Sequence, residues 1–221
     1  MLPFIVISVA LLVPMQVRPS SFWAAYELKN ENRLPLPSGA TIHPVRIFAD
    51  SPPRKLLLFN EYDSKSPYFG GRRLEANVIV RIRGKTHFVV VDYITNAIAW
   101  NPIRGVHLPN SQMYNHKMTQ SRIKTRIRDM RGEFFNVDGV CENDATRRIT
   151  LDFAVRPNRE CFFRDHPYSV KLQFDPHQIC HPVSLVDATV DTSILRDHQG
   201  EFLMSFVHPF SMNFNMTLNH W

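Results

Sequence analysis

The sequence predicts a mainly β protein of the α+β class: a curved antiparallel sheet or half-barrel with at least one helix packed on it. Three observations carry this. Period-two alternation of apolar residues recurs between Thr41 and Val207, the mark of strands with one face more buried than the other. The longest such stretch, Glu75 to Trp100, folds back on itself at Gly84. From Ser111 to Arg131 the pattern changes: Met113, Lys117, Met118 and Gln120 suit a helix, and Ile123, Ile127 and Met130 fit one helical face.

The chain opens on an uncharged apolar run, Phe4 to Val13, too short for a membrane span and the right length for a signal-peptide core. The expected organisation is therefore a signal peptide over residues 1–21, a lead-in segment over 22–40, and one β-rich domain over 41–221 with a sub-boundary near 105–135. The mature protein is expected outside the cell, with Asn215 of Asn215-Met216-Thr217 as its N-glycosylation acceptor. In an oxidising compartment Cys141, Cys161 and Cys180 make one disulfide and one spare thiol, with the pairing open.

Thr41 to Asp50 is the first strand candidate, ended by Ser51-Pro52-Pro53-Arg54, since neither proline can donate to a ladder. Lys55 to Tyr62 follows, apolar on both faces at its start. In the central hairpin, a two-residue Gly84-Lys85 turn with glycine first suits type II′. That register sets Val80 opposite Val89 and Val78 opposite Val91, with Tyr93 continuing the same face. Ala97 to Trp100 is a third strand. Beyond the helical segment, Ile149 to Val155, Tyr168 to Phe174 and Phe202 to Val207 read as strands. Ser121 to Arg128 is open: Arg122, Lys124, Arg126 and Arg128 alternate with Ile123, Thr125 and Ile127, which fits a strand with a basic face as well as a helix.

The 221 residues are 44% hydrophobic and 21% charged, enough for a sizeable core, and the formal net charge is +6. A basic excess favours anionic partners, so Arg122, Lys124, Arg126 and Arg128 form a candidate anion-binding stripe for an acidic polysaccharide; its ordinary use is a solvated face. Nucleic acid is not expected as a partner. Metal binding is not expected either: His177, Cys180 and His181 sit together before Pro182, but no fourth ligand is evident. The chain has no Gly-x-Ser-x-Gly and no glycine-rich phosphate loop. Glu61 and Asp92 are the one candidate carboxylate pair, more simply read as arginine or backbone partners. The residues point away from an enzyme and from any cofactor.

Glu61-Tyr62-Asp63, Gly71-Arg72-Arg73-Leu74, Gly84, and Val91-Asp92-Tyr93 with Asn96 occur in an order that resembles the invertebrate LolA-like and ependymin-related extracellular proteins. The resemblance spans about Thr41 to Trp100. It implies a half-barrel wrapped round a helix, with an apolar concave side that holds a lipid or other hydrophobic small molecule without catalysis. On that reading Val78, Val80, Val89, Val91 and Tyr93 line the ligand; without it they are plain core. The expected function is a secreted lipid-binding module, with an extracellular adhesion or polyanion-binding module as the alternative.

Overall fold

The computed structural model describes residues 13–17, 21–65, 70–96, 99–101, 105–107, 109–119, 121–141, 159–163, 168–174, 184–208 and 212–220. Its strands are β1 (Val13–Val17), β2 (Ser21–Leu28), β3 (Thr41–Ile42), β4 (Leu56–Lys65), β5 (Gly70–Ile82), β6 (Lys85–Thr95), β7 (Ala99–Asn101) and β8 (Gly105–His107). They continue with β9 (Ser111–Met118), β10 (Arg122–Asp129), β11 (Phe134–Cys141), β12 (Arg159–Phe163), β13 (Tyr168–Phe174), β14 (Ser184–Thr192), β15 (Gln199–His208) and β16 (Met212–His220).

Fourteen strands form one sheet in the order β3-β5-β6-β12-β13-β16-β1-β4-β2-β15-β14-β11-β10-β9, and β4 also pairs with β5. Among the described strands only β12 on β6 is parallel. The β4–β5 pairing closes a ring through β6, β12, β13, β16 and β1. The strands from β2 to β9 form an arm that curls back over β4, β5 and β6. The result is a curled, largely antiparallel half-barrel. The packed helix is not there: among the described residues the only helical element is a short 3-10 turn at Arg196–His198.

Each face of the central strands carries its own core. Leu57, Phe59, Val78, Val80, Val89 and Val91 share one core with Ile123, Ile127 and Phe135 of the arm. Leu56, Leu58, Ile79 and Phe88 share the other with Trp23 and Phe206. Covering both faces explains why β2, read from sequence as a lead-in, is a central strand. Its residues Ser21 to Tyr26 are all buried, so no polar alternation survives to announce it.

The hairpin turn is Arg83-Gly84, not Gly84-Lys85. Both residues have positive φ, 49° and 80°, as type I′ requires, and Ile82 pairs with Lys85. Val80 then faces His87 and Val78 faces Val89, a shift of two residues that leaves every valine on its expected face. A β-bulge breaks this order beyond Val90. Asn77 faces Val90 but Ala76 faces Asp92, so Val91 is the extra residue. The bulge sends Tyr93 to the opposite face, beside Glu75.

Ser111 to Met118 is a strand, not a helix. Tyr114, His116 and Met118 are its more buried residues, and Thr119 closes a tight turn by accepting the backbone N–H of Arg122 at 3.1 Å. The open segment resolves as strand over Arg122–Asp129, alternating strictly between exposed cations and buried Ile123, Thr125 and Ile127. Of the expected first strand only Thr41–Ile42 pairs with the sheet, and of the third the described strand is Ala99–Asn101. Ile149 to Val155 lies outside the described residues.

Candidate functional site

Glu61 follows Leu57 and Phe59 on the face that meets the arm. It is 1% exposed, and the arm brings polar side chains to it from β9 and β10. His116 Nδ1 lies 2.8 Å from Glu61 Oε2. The Thr125 hydroxyl donates to the same oxygen at 3.0 Å and stands 2.8 Å from Nδ1. A carboxylate can only accept, so Nδ1 carries a proton toward Glu61, and a neutral ring keeps its lone pair on Nε2. This is the orientation that a carboxylate imposes on a histidine acting as a general base.

The other oxygen of Glu61 is 3.6 Å from Arg72 Nη1, beyond a hydrogen bond. Glu61 Oε1 and the Tyr114 hydroxyl are both buried here. Burial first, and then the Glu61 charge with a hydrogen bond to that carboxylate, push the Tyr114 phenol well above its ordinary value, while Arg72 pulls it the other way. Tyr114 is therefore a protonated donor at neutral pH.

His116, Tyr114 and Arg72 line a pocket of about 620 Å³, within the range of small-molecule sites. Glu61 and Thr125 support His116 from behind. Asn115 and Lys117 of β9 and Lys124 and Arg126 of β10 complete one side; Asp63, Gly71 and Asn96 complete the other. Asn96 holds that second side in place, its side-chain oxygen accepting the Arg72 backbone N–H at 2.7 Å.

No protein-family model matches the sequence. No curated protein sequence matches it significantly. Solved structures do match. Acetoacetate decarboxylase from Legionella pneumophila subsp. pneumophila str. Philadelphia 1 superposes with a TM-score of 0.60 at 11% identity, covering 94% of this chain and 86% of that one. The fold is that of acetoacetate decarboxylase-like enzymes. An acetoacetate decarboxylase-like enzyme from Sphingomonas wittichii RW1 gives 0.55 at 11% identity, covering 95% and 92%. The enduracididine biosynthesis enzyme MppR gives 0.55 at 12%, covering 93% and 85%.

These matches overturn the LolA-like and ependymin-related resemblance. Its motif residues mark an antiparallel hairpin with a bulge, which unrelated sheets share. The non-catalytic lipid-binding module and its adhesion alternative go with it, as does the expectation of no enzyme, since the structures that share this fold across nearly the whole chain are enzymes.

Val78, Val80, Val89 and Val91 are fully buried in the core against Ile123, Ile127 and Phe135 and do not line the pocket. Tyr93 lies on the other face, under the Arg73 guanidinium at 4.6 Å. Arg73 Nε is 2.7 Å from Glu75 Oε1, which also accepts from the Tyr62 hydroxyl at 2.8 Å. The basic stripe divides. Lys124 and Arg126 line the pocket; Arg122 is tied to Asp138 at 2.7 Å, and Arg128 lies outside. Hydrogen bonding from Arg122 holds the Asp138 carboxyl below its usual range.

Glu61 and Asp92 do not pair. Asp92 binds Arg131 at 2.9 Å, and Arg131 also holds Asp129. Cys141 is a free thiol, pushed up by burial. Asn215 lies on β16 opposite Pro14 and Gln173, and Cys161 on β12 opposite Val170. Cys180, His177 and His181 lie outside the described residues. Sequence reading singled out Glu61 but missed His116, Thr125 and Tyr114 as its partners; the alternation of Ile123, Thr125 and Ile127 with cations was the one local signal, and it reached Thr125 alone.

Proposed function

We propose that the chain is an enzyme that moves a proton at the carbon beside the carbonyl of a small keto acid, with His116 as the general base. The observation that carries this is the Glu61–His116 contact of 2.8 Å beside a cation-rimmed pocket. The ligands of similar structures agree in chemistry: MppR has been crystallised with the condensation product of pyruvate and imidazole 4-carboxaldehyde, and acetoacetate is itself a carboxylate with a nearby carbonyl.

The substrate carboxylate is drawn to the cationic side of the pocket, where Arg72, Lys117, Lys124 and Arg126 outnumber Asp63. Tyr114 donates to the carbonyl oxygen. His116 Nε2 takes the proton from the adjacent carbon, and the C–H electron pair moves into the enolate held by Tyr114. The imidazolium so formed is stabilised by Glu61 through Nδ1, and return of the proton to carbon regenerates the base. General base catalysis of this kind contributes about 10²–10⁴-fold. Covalent chemistry through a lysine requires an amine kept unprotonated by burial or by a neighbouring cation. Lys117 and Lys124 are both exposed and the described core holds no lysine, so His116 carries the reading.

The test is proton exchange. The purified protein is incubated in D₂O with a panel of 2- and 3-keto acids, and NMR follows deuterium entering beside the carbonyl. At least one acid is expected to exchange, and His116→Gln is expected to slow it by roughly 10² or more. No exchange with any acid, or an unchanged rate in His116→Gln, overturns the proposal.

A further inference from the structure

We infer that the substrate carries a second anionic group, and that Arg126 and Lys117 hold it: the site is built for a dicarboxylate. This rests on the keto-acid reading above and concerns what that reading leaves unexplained, the number of charges. A single carboxylate needs one or two cations. The pocket presents four, Arg72, Lys117, Lys124 and Arg126, against Asp63 alone.

Their partners separate them into two pairs. Arg72 faces Glu61 at 3.6 Å, and Lys124 reaches Asp138 at 3.7 Å, a carboxylate that Arg122 already binds at 2.7 Å. Arg126 and Lys117 form no ion pair among the described residues. Register explains why. Arg126 stands between Asn115 on β9 and Asn136 on β11, amides that cannot neutralise it. Lys117 stands directly opposite Lys124.

Arg126 and Lys117 are diagonal neighbours on one face of the hairpin. Such positions are about 7–8 Å apart, within reach of long side chains. A carboxylate between them gains a planar guanidinium fork on one side and an ammonium on the other. It also relieves the repulsion between Lys117 and Lys124. The first carboxylate is left to Arg72 and Lys124.

The test is equilibrium binding at low salt of unreactive acids: succinate and glutarate against butyrate. The dicarboxylates are expected to bind tighter than butyrate by roughly tenfold or more. Arg126→Gln and Lys117→Gln should each remove most of that preference. Arg128→Gln, on the same strand face but outside the pocket, should leave it intact. If succinate and glutarate bind no tighter than butyrate, or if Arg128→Gln costs as much as Arg126→Gln, the inference is overturned. Binding is read without turnover, so the two readings fail separately. Proton exchange in a monocarboxylic keto acid without a dicarboxylate preference removes only the inference. A preference without exchange in any keto acid removes the reaction and leaves the dicarboxylate site supported.

Discussion

Replacing Glu61 tests the site and the fold together. Its Oε2 accepts from His116 at 2.8 Å and from Thr125 at 3.0 Å inside a shell that excludes water. Glu61→Gln keeps one acceptor oxygen and loses the charge. With its oxygen in the Oε2 position the amide can still accept from both donors, but without the charge, and its NH2 then replaces Oε1 toward Arg72. The loss of one charge-assisted hydrogen bond costs about 1.5–3 kcal/mol. Glu61→Leu removes both acceptors, leaves the Thr125 hydroxyl and His116 Nδ1–H buried without partners, and faces Arg72 with an alkyl chain. Breaking a buried charged set this way costs about 3–5 kcal/mol, a large part of the roughly 5–15 kcal/mol that holds a domain folded. Urea unfolding at constant m-value measures both. A second measurement separates positioning from stability: long-range ¹H–¹⁵N spectra report which ring nitrogen of His116 carries the proton. The wild type should show the Nδ1–H form, and Glu61→Gln a shift toward Nε2–H. If both variants stay within about 0.5 kcal/mol of wild type, as a surface substitution would, and the tautomer is unmoved, the buried pair is not what orients His116.

Two further expectations concern the arm. Gly139 of β11 lies against Ala188 of β14, and a Cβ there would stand 2.5 Å from Ala188 Cβ and 2.9 Å from Val186 Cγ1; Gly139→Ala should cost about 1–3 kcal/mol by overpacking, read as a lower thermal midpoint. The Tyr26 phenol, which donates to the Val190 carbonyl at 3.1 Å, is pushed up from 10.0 to about 12 by burial and then by Asp191. Folding therefore favours its protonated form, and that stabilisation is complete below pH 10.0 and is lost as pH rises toward about 12. Unfolding free energy should fall across this window more steeply in wild type than in Tyr26→Phe, and equal slopes would refute the assignment.

Strands were readable where one face is polar. Tyr168 to Phe174 is β13 residue for residue, and Phe202 to Val207 lies within β15. β2 was missed because burial on both sides erases alternation, and β9 was misread because an edge strand with half its residues in solvent carries little apolar signal. The hairpin face of Val78, Val80, Val89 and Val91 survived a wrong turn, since the error was two residues and the side-chain period is two. Tyr93 did not survive, because one bulged residue reverses everything beyond it. The site was less accessible still. Glu61 and Thr125 are 64 residues apart, and nothing near His116 sets it apart from the other nine of ten histidines. Only the folding back of the arm makes it the partner of Glu61.

The basic stripe shows how one local pattern serves separate ends. Cations on an edge strand block the addition of another strand, and β9 is the edge of the sheet, so Lys117 needs no ligand to account for it. That explanation stops at β10. It has β9 on one side and β11 on the other and presents no free backbone to guard. Its cations must be accounted for by what they face. Arg122 faces Asp138 and is satisfied there. Lys124 shares that same carboxylate and also stands opposite Lys117, an arrangement that is destabilising unless something negative intervenes. Arg126 faces only amides. Charge left uncompensated in the middle of a hairpin, at the mouth of a pocket that ends on a carboxylate-oriented histidine, is what the proposed anionic substrate would answer. Edge protection accounts for Lys117 but not for Arg126, which makes Arg126 the residue on which the two explanations part.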